Sequence, residues 1–514
     1  MSTFHGLETA RRAIHAQQAA IHTTGHNIAN AGTGGYSRQR VNLSAASAFP
    51  GVSMNTPFMA GQLGAGVQAG AIERVRDTFL DGQYRNESGR HGEWSTRHGS
   101  LDRVEGLFNE ISGNGIGTSM DRFWQSLHDL GTNPSDTGVR AVVKENGAAL
   151  AEAFNYTSDG LNRIETECRG ELKASEQKIN QLLQQINDAN KQIASLEAHG
   201  QRPNDLYDAR DTLVDELSGF LNIAVEQTAG PKSGMAGRYT INLTDDSGRK
   251  LETLVDGPNL GNRELRIGFD EDTGLVEGIY TGSAEDFSGG VPGDGAAVYS
   301  ISEFQSRGSL HAAASFYGYV ENGEIHGTLQ DVKNDFDQLA YTYVTEFNRL
   351  HEEGFSLNGE GGMPFFDPFA EGRIQGAAGN MVLNSAISSD VNNIAASSEP
   401  EGTSGNGNHA AVLANMREQT FNFGGMSTNA SAFYQSITGK VAVQSSEAAR
   451  MSTNALNVVT SIGERRESVS GVSLDEEMSN LVQFQHAYNA AARNMTAIDE
   501  MLDRIINGMG ITGR

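Results

Sequence analysis

The chain has 514 residues, with 64 acidic against 38 basic side chains and a net charge of −26. A chain this long divides into roughly two to four hydrophobic cores, and its charge repels phosphate backbones and anionic membrane surfaces alike, which excludes nucleic-acid and membrane-surface partners. Its one cysteine, Cys168, excludes an internal disulfide framework and a clustered-thiolate zinc site, and Arg11, Arg12, His15 and Gln17 interrupt the early apolar positions as a cleaved secretory signal would not.

Taken in chain order, Leu7, Ile14, Ile21 and Ile28 recur every seventh residue, with Ala10, Gln17 and Thr24 at the intervening steps. This heptad stripe predicts a helix over 3–30 that needs another surface to cover it. Leu161, Ile164, Cys168, Leu172, Ile179, Leu182, Ile186, Ala189, Ile193 and Leu196 predict a long helix stopped by Gly200 and Pro203, and Leu206 to Leu221 a shorter one. From 225 to 325 the period changes. Tyr239, Ile241 and Leu243 alternate with polar residues, Asp245 to Gly248 supply a turn before Leu251 to Val255, and Leu265, Ile267 and Phe269 run into a second turn at Asp270 to Gly274.

Leu329, Val332, Phe336, Leu339, Tyr343, Phe347 and Leu350 predict another helix, closed by Gly354. Residues 355–408, rich in Gly, Asn and Ser, read as loops with short strands, and Phe433, Ile437, Val441, Ala448, Met451, Ala455, Val458 and Ile462 resume the helical period. At the far end Leu474, Met478, Leu481, Phe484, Tyr488, Ala491, Met495, Ile498, Leu502 and Ile505 follow alternating three- and four-residue steps, a helix about 48 Å long. The two ends are natural partners. The expected architecture is α+β and multidomain: terminal coiled-coil helices over 1–64 and 466–514, a mainly helical bundle over 65–224 and 326–465 that includes the loop region, and an inserted β-rich domain over 225–325.

Few residue patterns offer chemistry. His22 and His26 lie one helical turn apart, but no Asp, Glu or Cys near them in sequence completes a metal site, and they read as polar helix surface. His351-Glu352-Glu353 lacks the second histidine of a zinc helix and reads as a polar helix end. Asp270, Asp272 and Gly274 lack the bidentate acid of a calcium loop and read as a hairpin turn. No nucleophile elbow, phosphate loop or dinucleotide fingerprint occurs, and Cys168, on the apolar stripe of its helix, reads as a buried inert thiol. No catalytic, cofactor or metal residue is expected.

His26-Asn27-Ile28-Ala29-Asn30, followed by Thr33-Gly34-Gly35-Tyr36-Ser37-Arg38-Gln39, resembles the N-terminal signature of flagellar rod, hook and hook-associated proteins, and its Tyr-Ser-Arg-Gln ending resembles the hook-associated protein 1 family in particular. The family typically has proline where Gly34 stands. Further blocks follow in the family's order: Gly64 to Val67, Ile72-x-Arg74-x-x-Asp77 with Phe79, Leu80, Gln83 and Arg85, Phe123-Trp124, Asn133-Pro134, Arg140, Asn204 to Leu213, Asp337 to Ala340, and Ser470 to Glu477 with Leu481, Phe484 and Tyr488. The resemblance runs nearly end to end, weakest over 225–325 and 355–408.

The resemblance implies a structural subunit between the hook and the filament of a bacterial flagellum, with no enzymatic activity and no cofactor. It implies uncleaved export through the flagellar type III apparatus to the cell exterior. The implied partners are further copies of the chain in a ring or helical tier, the hook protein, hook-associated protein 3 or another filament-side junction protein, and a cytoplasmic export chaperone on the C-terminal helix. The implied assembly interface comprises Leu7, Ile14, Ile21, Ile28, Asn27, Asn30, Tyr36, Arg38, Leu474, Met478, Leu481, Phe484, Tyr488, Met495, Ile498, Leu502 and Ile505, with Leu7, Ile14, Ile21, Met478, Leu481, Tyr488, Met495 and Leu502 as the buried seam of the terminal coil. The alternatives are another axial subunit of hook or distal rod, a secreted coiled-coil adhesin, and an acidic wall-active enzyme. Tyr36 to Gln39 and the block from Asn204 argue against the first, and no paired carboxylates argue for the last.

Overall fold

Long helices carry most of the chain, and two small sheets lie against the longest of them. The computed structural model describes residues 4–48, 64–108, 115–231, 235–287 and 296–508. Residue 3, the expected start of the first helix, lies outside these, as do 49–63 and 509–514 of the expected terminal domain and 232–234 and 288–295 of the expected β-rich region.

Helix α1 (His5–Ala29) leads into an antiparallel pair, β1 (Gln39–Ala45) and β2 (Val67–Arg74). Four helices follow: α2 (Thr78–Phe108), α3 (Ile116–Thr132), α4 (Thr137–Ala198) and α5 (Asn204–Phe220). Strands β3 (Ile223–Thr228), β4 (Arg238–Thr244), β5 (Lys250–Asp256) and β6 (Gly261–Asn262) form an antiparallel sheet in that order. The second sheet has the order β11-β10-β8-β7, from β7 (Glu264–Phe269), β8 (Val276–Gly282), β10 (Tyr319–Glu321) and β11 (Glu324–His326), with β9 (Ala297–Tyr299) also on β8 and α6 (Ser309–Tyr317) before β10. Helix α7 (Thr328–Glu352) opens the second half, followed by α8 (Ser385–Ser389), α9 (Asn408–Asn415), a hairpin of β12 (Phe421–Phe423) and β13 (Met426–Thr428), α10 (Ala430–Ser470) and α11 (Leu474–Gly508).

Helix α4 runs for 62 residues, about 93 Å. Asp136 caps its start by accepting a hydrogen bond from the Gly138 N–H at 2.7 Å. The apolar spacing predicts only its second half, because Gly147 and Gly160 interrupt the first. Both glycines are packing requirements: an added Cβ at Gly147 would lie 2.7 Å from Phe365, and one at Gly160 would collide with Leu107. Cys168 is buried on this helix as expected, and burial pushes its thiol up to about 11, which keeps it protonated and inert.

The strands form where the alternation was read, but on β4 the intervening Asn242 and Thr244 are buried as well. Tyr239, Ile241 and Leu243 of β4 point inward, and Asp245 and Asp270 organise their turns by accepting from the Ser247 and Thr273 N–H groups. The strands build no core of their own. One continuous cluster of buried side chains runs from Leu101 on α2 through α4, both sheets and α7 to Ala448 on α10. Helices α2 and α3 escape the periodicity reading, α2 because its buried face begins with Asp81, Arg85 and Gly89 instead of apolar residues.

Polar side chains of α7 hold the 355–408 region, which contains isolated β-bridges instead of the short strands expected there. The Asn348 side chain accepts from the N–H groups of Phe365 and Phe366, both at 2.9 Å, and Asp337 accepts from those of Gly376 at 2.7 Å and Ala378 at 3.0 Å. Phe365 and Phe366 then pack on Phe123 and Phe347, with Phe123 and Phe347 ring centres 5.2 Å apart. Arg140, fully buried at the start of α4, reaches the same region by donating to the carbonyls of Pro134 and Ile394, each at 2.7 Å.

His351 corrects the polar-helix-end reading, since it is 0% exposed. Its Nδ1–H donates to the Met363 carbonyl at 2.6 Å and its Nε2 accepts from the Ala395 N–H at 2.9 Å, a pairing only the neutral ring can make. Burial drives its pKa down to about 4, with His409 and Arg140 adding to the effect. The unfolded imidazole takes its proton near pH 6.5, so this contribution is complete above that pH and is lost as pH falls toward 4, by on the order of 3 kcal/mol. Urea unfolding of wild type and His351→Gln is expected to show a stability gap at pH 7 that narrows by about 2 kcal/mol at pH 4.5. An equal gap at both pH values would show that the imidazole is not the source.

Candidate functional site

Helices α1 and α11 pair antiparallel: Gly6 lies against Ile498 at one end, and the Asn27 amide meets the Glu477 carboxylate at 3.0 Å at the other. The innermost positions of α1 are Ala10, Ala16, Ala20, Thr23, Thr24 and Asn27. Leu7, Ile14 and Ile21, expected in the buried seam, are only partly covered, as is Ile28 of the expected assembly interface. Small side chains let the two backbones approach, so the bulkier residues are left to flank the contact. On α11 Leu481, Phe484, Tyr488, Met495 and Ile498 are partly covered and Leu502 is buried. Leu474, Met478 and Ile505 are exposed, Met478 to 51%, and Val482, Met501 and Ile506 join them outside. Of the expected seam, Met478 lies outside: among the described residues α1 is the one helix packed along α11, and one helix cannot cover an apolar stripe this broad. The β1–β2 pair lies along α1 and completes a terminal unit.

Asn27, Asn30, Tyr36 and Arg38, expected at an intersubunit contact, are engaged within the chain. Asn27 is 1% exposed, and all four of its hydrogen-bonding positions are filled. Its amide donates to the Gln39 carbonyl at 2.8 Å and to Glu477, while its oxygen accepts from the Tyr36 hydroxyl at 2.8 Å and the Gln39 N–H at 3.0 Å. Asn30 caps the end of α1 by donating to the His26 carbonyl at 3.0 Å. Arg38 pairs with Glu476 at 2.7 Å and Glu477 at 2.8 Å, and its N–H donates to the Ser470 carbonyl at 2.8 Å, tying β1 to the α10–α11 junction.

The motif from Asn204 arrives at the same place on α5. Asp208 accepts from the Ser37 N–H at 3.0 Å, Gln39 donates to Asp205 at 3.1 Å, and the Asn204 amide donates to the Gln39 side chain at 3.1 Å. Gly35 turns at φ +79° with its α-carbon so close to α5 that a Cβ would collide with the Thr212 hydroxyl. Behind this lies a buried charge cluster. Arg74 pairs with Asp208 at 2.7 Å and Asp211 at 2.8 Å, Arg76 with Asp81 at 2.6 Å and Asp211 at 3.1 Å, and Arg85 with Asp215 at 2.7 Å and Asp211 at 3.4 Å. Arg466 of α10 pairs with Asp215, and the Tyr239 hydroxyl donates to Asp211 at 2.9 Å. Burial alone would raise the Asp211 pKa, but the guanidiniums of Arg76, Arg74 and Arg85 outweigh it and push the group down to about 2.

The resemblance blocks thus meet in space: the loop after α1, the end of β2, the start of α5 and the start of α11 form one joint between the terminal unit and the body. The joint went unpredicted because its members look like solvated charges when read singly. One signal was available: Asp208, Asp211 and Asp215 stand three and then four residues apart, which sets three acids on one face of α5. His22 is exposed, and the His26 Nε2 lies 3.4 Å from Asp205. Among the described residues no group of three or more His, Cys, Asp or Glu could hold a metal ion, and no helix is long and apolar enough to cross a membrane.

A family model described as the helical domain of the flagellar hook-associated protein FlgK matches residues 101–366, and one described as the C-terminal region of the flagellar basal body rod FlgEFG proteins matches 466–508. The chain is 40% identical to flagellar hook-associated protein 1 of Bacillus subtilis over 100% of both chains. It is 25% identical to the protein of that name from Escherichia coli, over 98% of this chain and 99% of the relative. The solved structure of the flagellar hook junction protein FlgK from Burkholderia pseudomallei superposes with a TM-score of 0.61 at 14% identity, covering 76% of this chain and 100% of that one, a likeness of fold.

Replacing Asn27 by alanine strips the partner from a buried main-chain N–H and carbonyl, and is expected to weaken the packing of α1 on β1 and α11 within the terminal unit by about 2–4 kcal/mol. Hydrogen exchange of α1 and α11 amides measures this. Exchange equal to wild type would show that Asn27 carries no load.

Proposed function

The chain belongs to the flagellar hook-associated protein 1 family and is a structural component of the flagellum at the junction of hook and filament, and on that premise we propose how it assembles. The terminal unit of α1, the β1–β2 pair and α11 is the axial part, and further copies of the chain cover the exposed apolar side chains of α11. Leu474, Met478, Val482, Met501, Ile505 and Ile506 of α11 carry the reading: each is exposed in the single chain, Ile506 to 68%, and water contact with so many large apolar side chains is unfavourable by about 25 cal/mol per Å². Contacts between unlike faces of neighbouring copies generate a ring or helical tier, not a closed dimer.

In this reading the tier meets the hook protein on one side and hook-associated protein 3, or another filament-side junction protein, on the other. The chain reaches the cell exterior uncleaved through the flagellar type III apparatus, and a cytoplasmic chaperone shields the apolar face of α11 until then. Leu7, Ile14, Ile21 and Ile28 on α1, and Leu481, Phe484, Tyr488, Met495, Ile498 and Leu502 on α11, serve the coil itself and present their uncovered parts to neighbours.

Two substitutions separate the roles. Val482→Asp, on the exposed face, is expected to leave thermal unfolding of the purified chain unchanged but to abolish filament attachment, because assembly would bury an unpaired carboxylate. Leu481→Asp, on the partly covered face, is expected to weaken the coil as well. Motility assays and electron microscopy of hooks from complemented deletion cells provide the readout, and normal filaments on the Val482→Asp strain would remove the outer face from the assembly contact.

A further inference from the structure

The terminal unit and the body meet through charge, with no shared apolar core. Among the described residues none of the unit's apolar side chains belongs to the buried cluster that organises the body, which begins at Leu101 and ends at Ala448. The chain crosses between the two in short links, 75–77 after β2 and 471–473 before α11. Four arginines, Arg74, Arg76, Arg85 and Arg466, face four aspartates, Asp81, Asp208, Asp211 and Asp215, with side chains between 1% and 22% exposed. Arg74 and Arg76 come from the terminal unit's edge and the link after it, and the aspartates from α2 and α5.

We propose that this joint is an acid-opened latch: it holds the terminal coil to the body while Asp211, the anion shared by Arg74, Arg76 and Arg85, is ionised, and frees the coil, with the body still folded, once it is protonated. Arginine cannot give up its proton in compensation, so neutralising Asp211 leaves the guanidiniums of Arg74, Arg76 and Arg85 without their shared anion and part of their desolvation uncompensated. The groups that surround the aspartates reinforce the effect. Tyr239 donates a hydrogen bond to Asp211, and Arg210 stacks on the Tyr239 ring with its guanidinium carbon 3.5 Å from the ring centre, supplying more positive charge and no spare acid. Tyr207 and Tyr84 lie under Arg74 and Arg466, and the Tyr207 hydroxyl donates to the buried Glu197 carboxylate on its far side. The outer ties are also polar: Arg202 with Glu73, His26 with Asp205, and Arg38 with Glu476 and Glu477. The sign is set by Asp211: its pKa is depressed in the closed joint, so docking is at full strength above the ordinary carboxylate range near pH 4 and is lost as pH falls toward about 2.

The test uses the full chain with spin labels at Gln184→Cys on α4 and Asn494→Cys on α11, both exposed, leaving the buried Cys168 in place. Distances from double electron–electron resonance are expected to be single and narrow at pH 7, and to broaden in acid at a pH where the near-ultraviolet circular dichroism of the body is unchanged. Asp211→Asn and Arg74→Leu are expected to give the broad distribution already at pH 7. If Asp211→Asn unfolds the body, Arg74→Leu, which alters only the terminal unit's side, decides the matter. A distribution that stays narrow until the body itself unfolds, or that stays narrow at pH 7 in a folded Arg74→Leu chain, overturns the proposal.

Discussion

A buried carboxylate must be given its counter-charges, and Asp211 draws its own from three different stretches of chain: Arg74 and Arg76 before α2, Arg85 within it, and Tyr239 from β4 as a hydrogen-bond donor. Each partner has a required direction as well as a distance, which an apolar contact of similar area would not impose. Meeting these requirements sets the end of β2 against α5, holds α2 in register with both, and brings Arg466 of α10 to Asp215. The orientation of the terminal coil with respect to the body follows from this cluster, and the polar loop from Asn27 to Gln39 closes the same joint from the coil's side.

Such a joint leaves the two halves of the molecule free to specialise. The body satisfies its apolar side chains internally, along α4 and across both sheets. The coil does not. Its tight seam is built from alanines and threonines, and much of the large apolar surface of α11 faces outward. The assembly proposed above uses both properties: a body that is complete alone, and a terminal unit whose exposed apolar side chains neighbouring copies would cover.

The body shows the same use of polar groups to position irregular chain. The 355–408 region has too little regular structure to satisfy its own main chain, so Asp337, Asn348 and His351 on α7 and Arg140 on α4 supply the missing partners from fully or nearly buried positions. Asp337 and Arg140 fall in the sequence blocks that carry the family resemblance, because the geometry of an irregular segment depends on a few donors and acceptors more than on apolar bulk.

Periodicity identified α1, the second half of α4, α5, α7, α10 and α11, and the alternation of β4, β5 and β7, because burial on one face writes itself into spacing along the chain. The motifs named the family by themselves. What spacing could not supply was direction: Leu7, Ile14, Ile21 and Met478 are apolar at the right intervals, yet only the placement of α11 and of the β1–β2 pair decides which side of each helix is inside. It could not supply the joint either, since Asn27, Arg74 and Asp211 lie far apart in sequence and read singly as solvated polar residues. Charges and amides acquire their role from partners that only the tertiary structure brings within hydrogen-bonding distance, whereas an apolar stripe declares its need for cover before any partner is known.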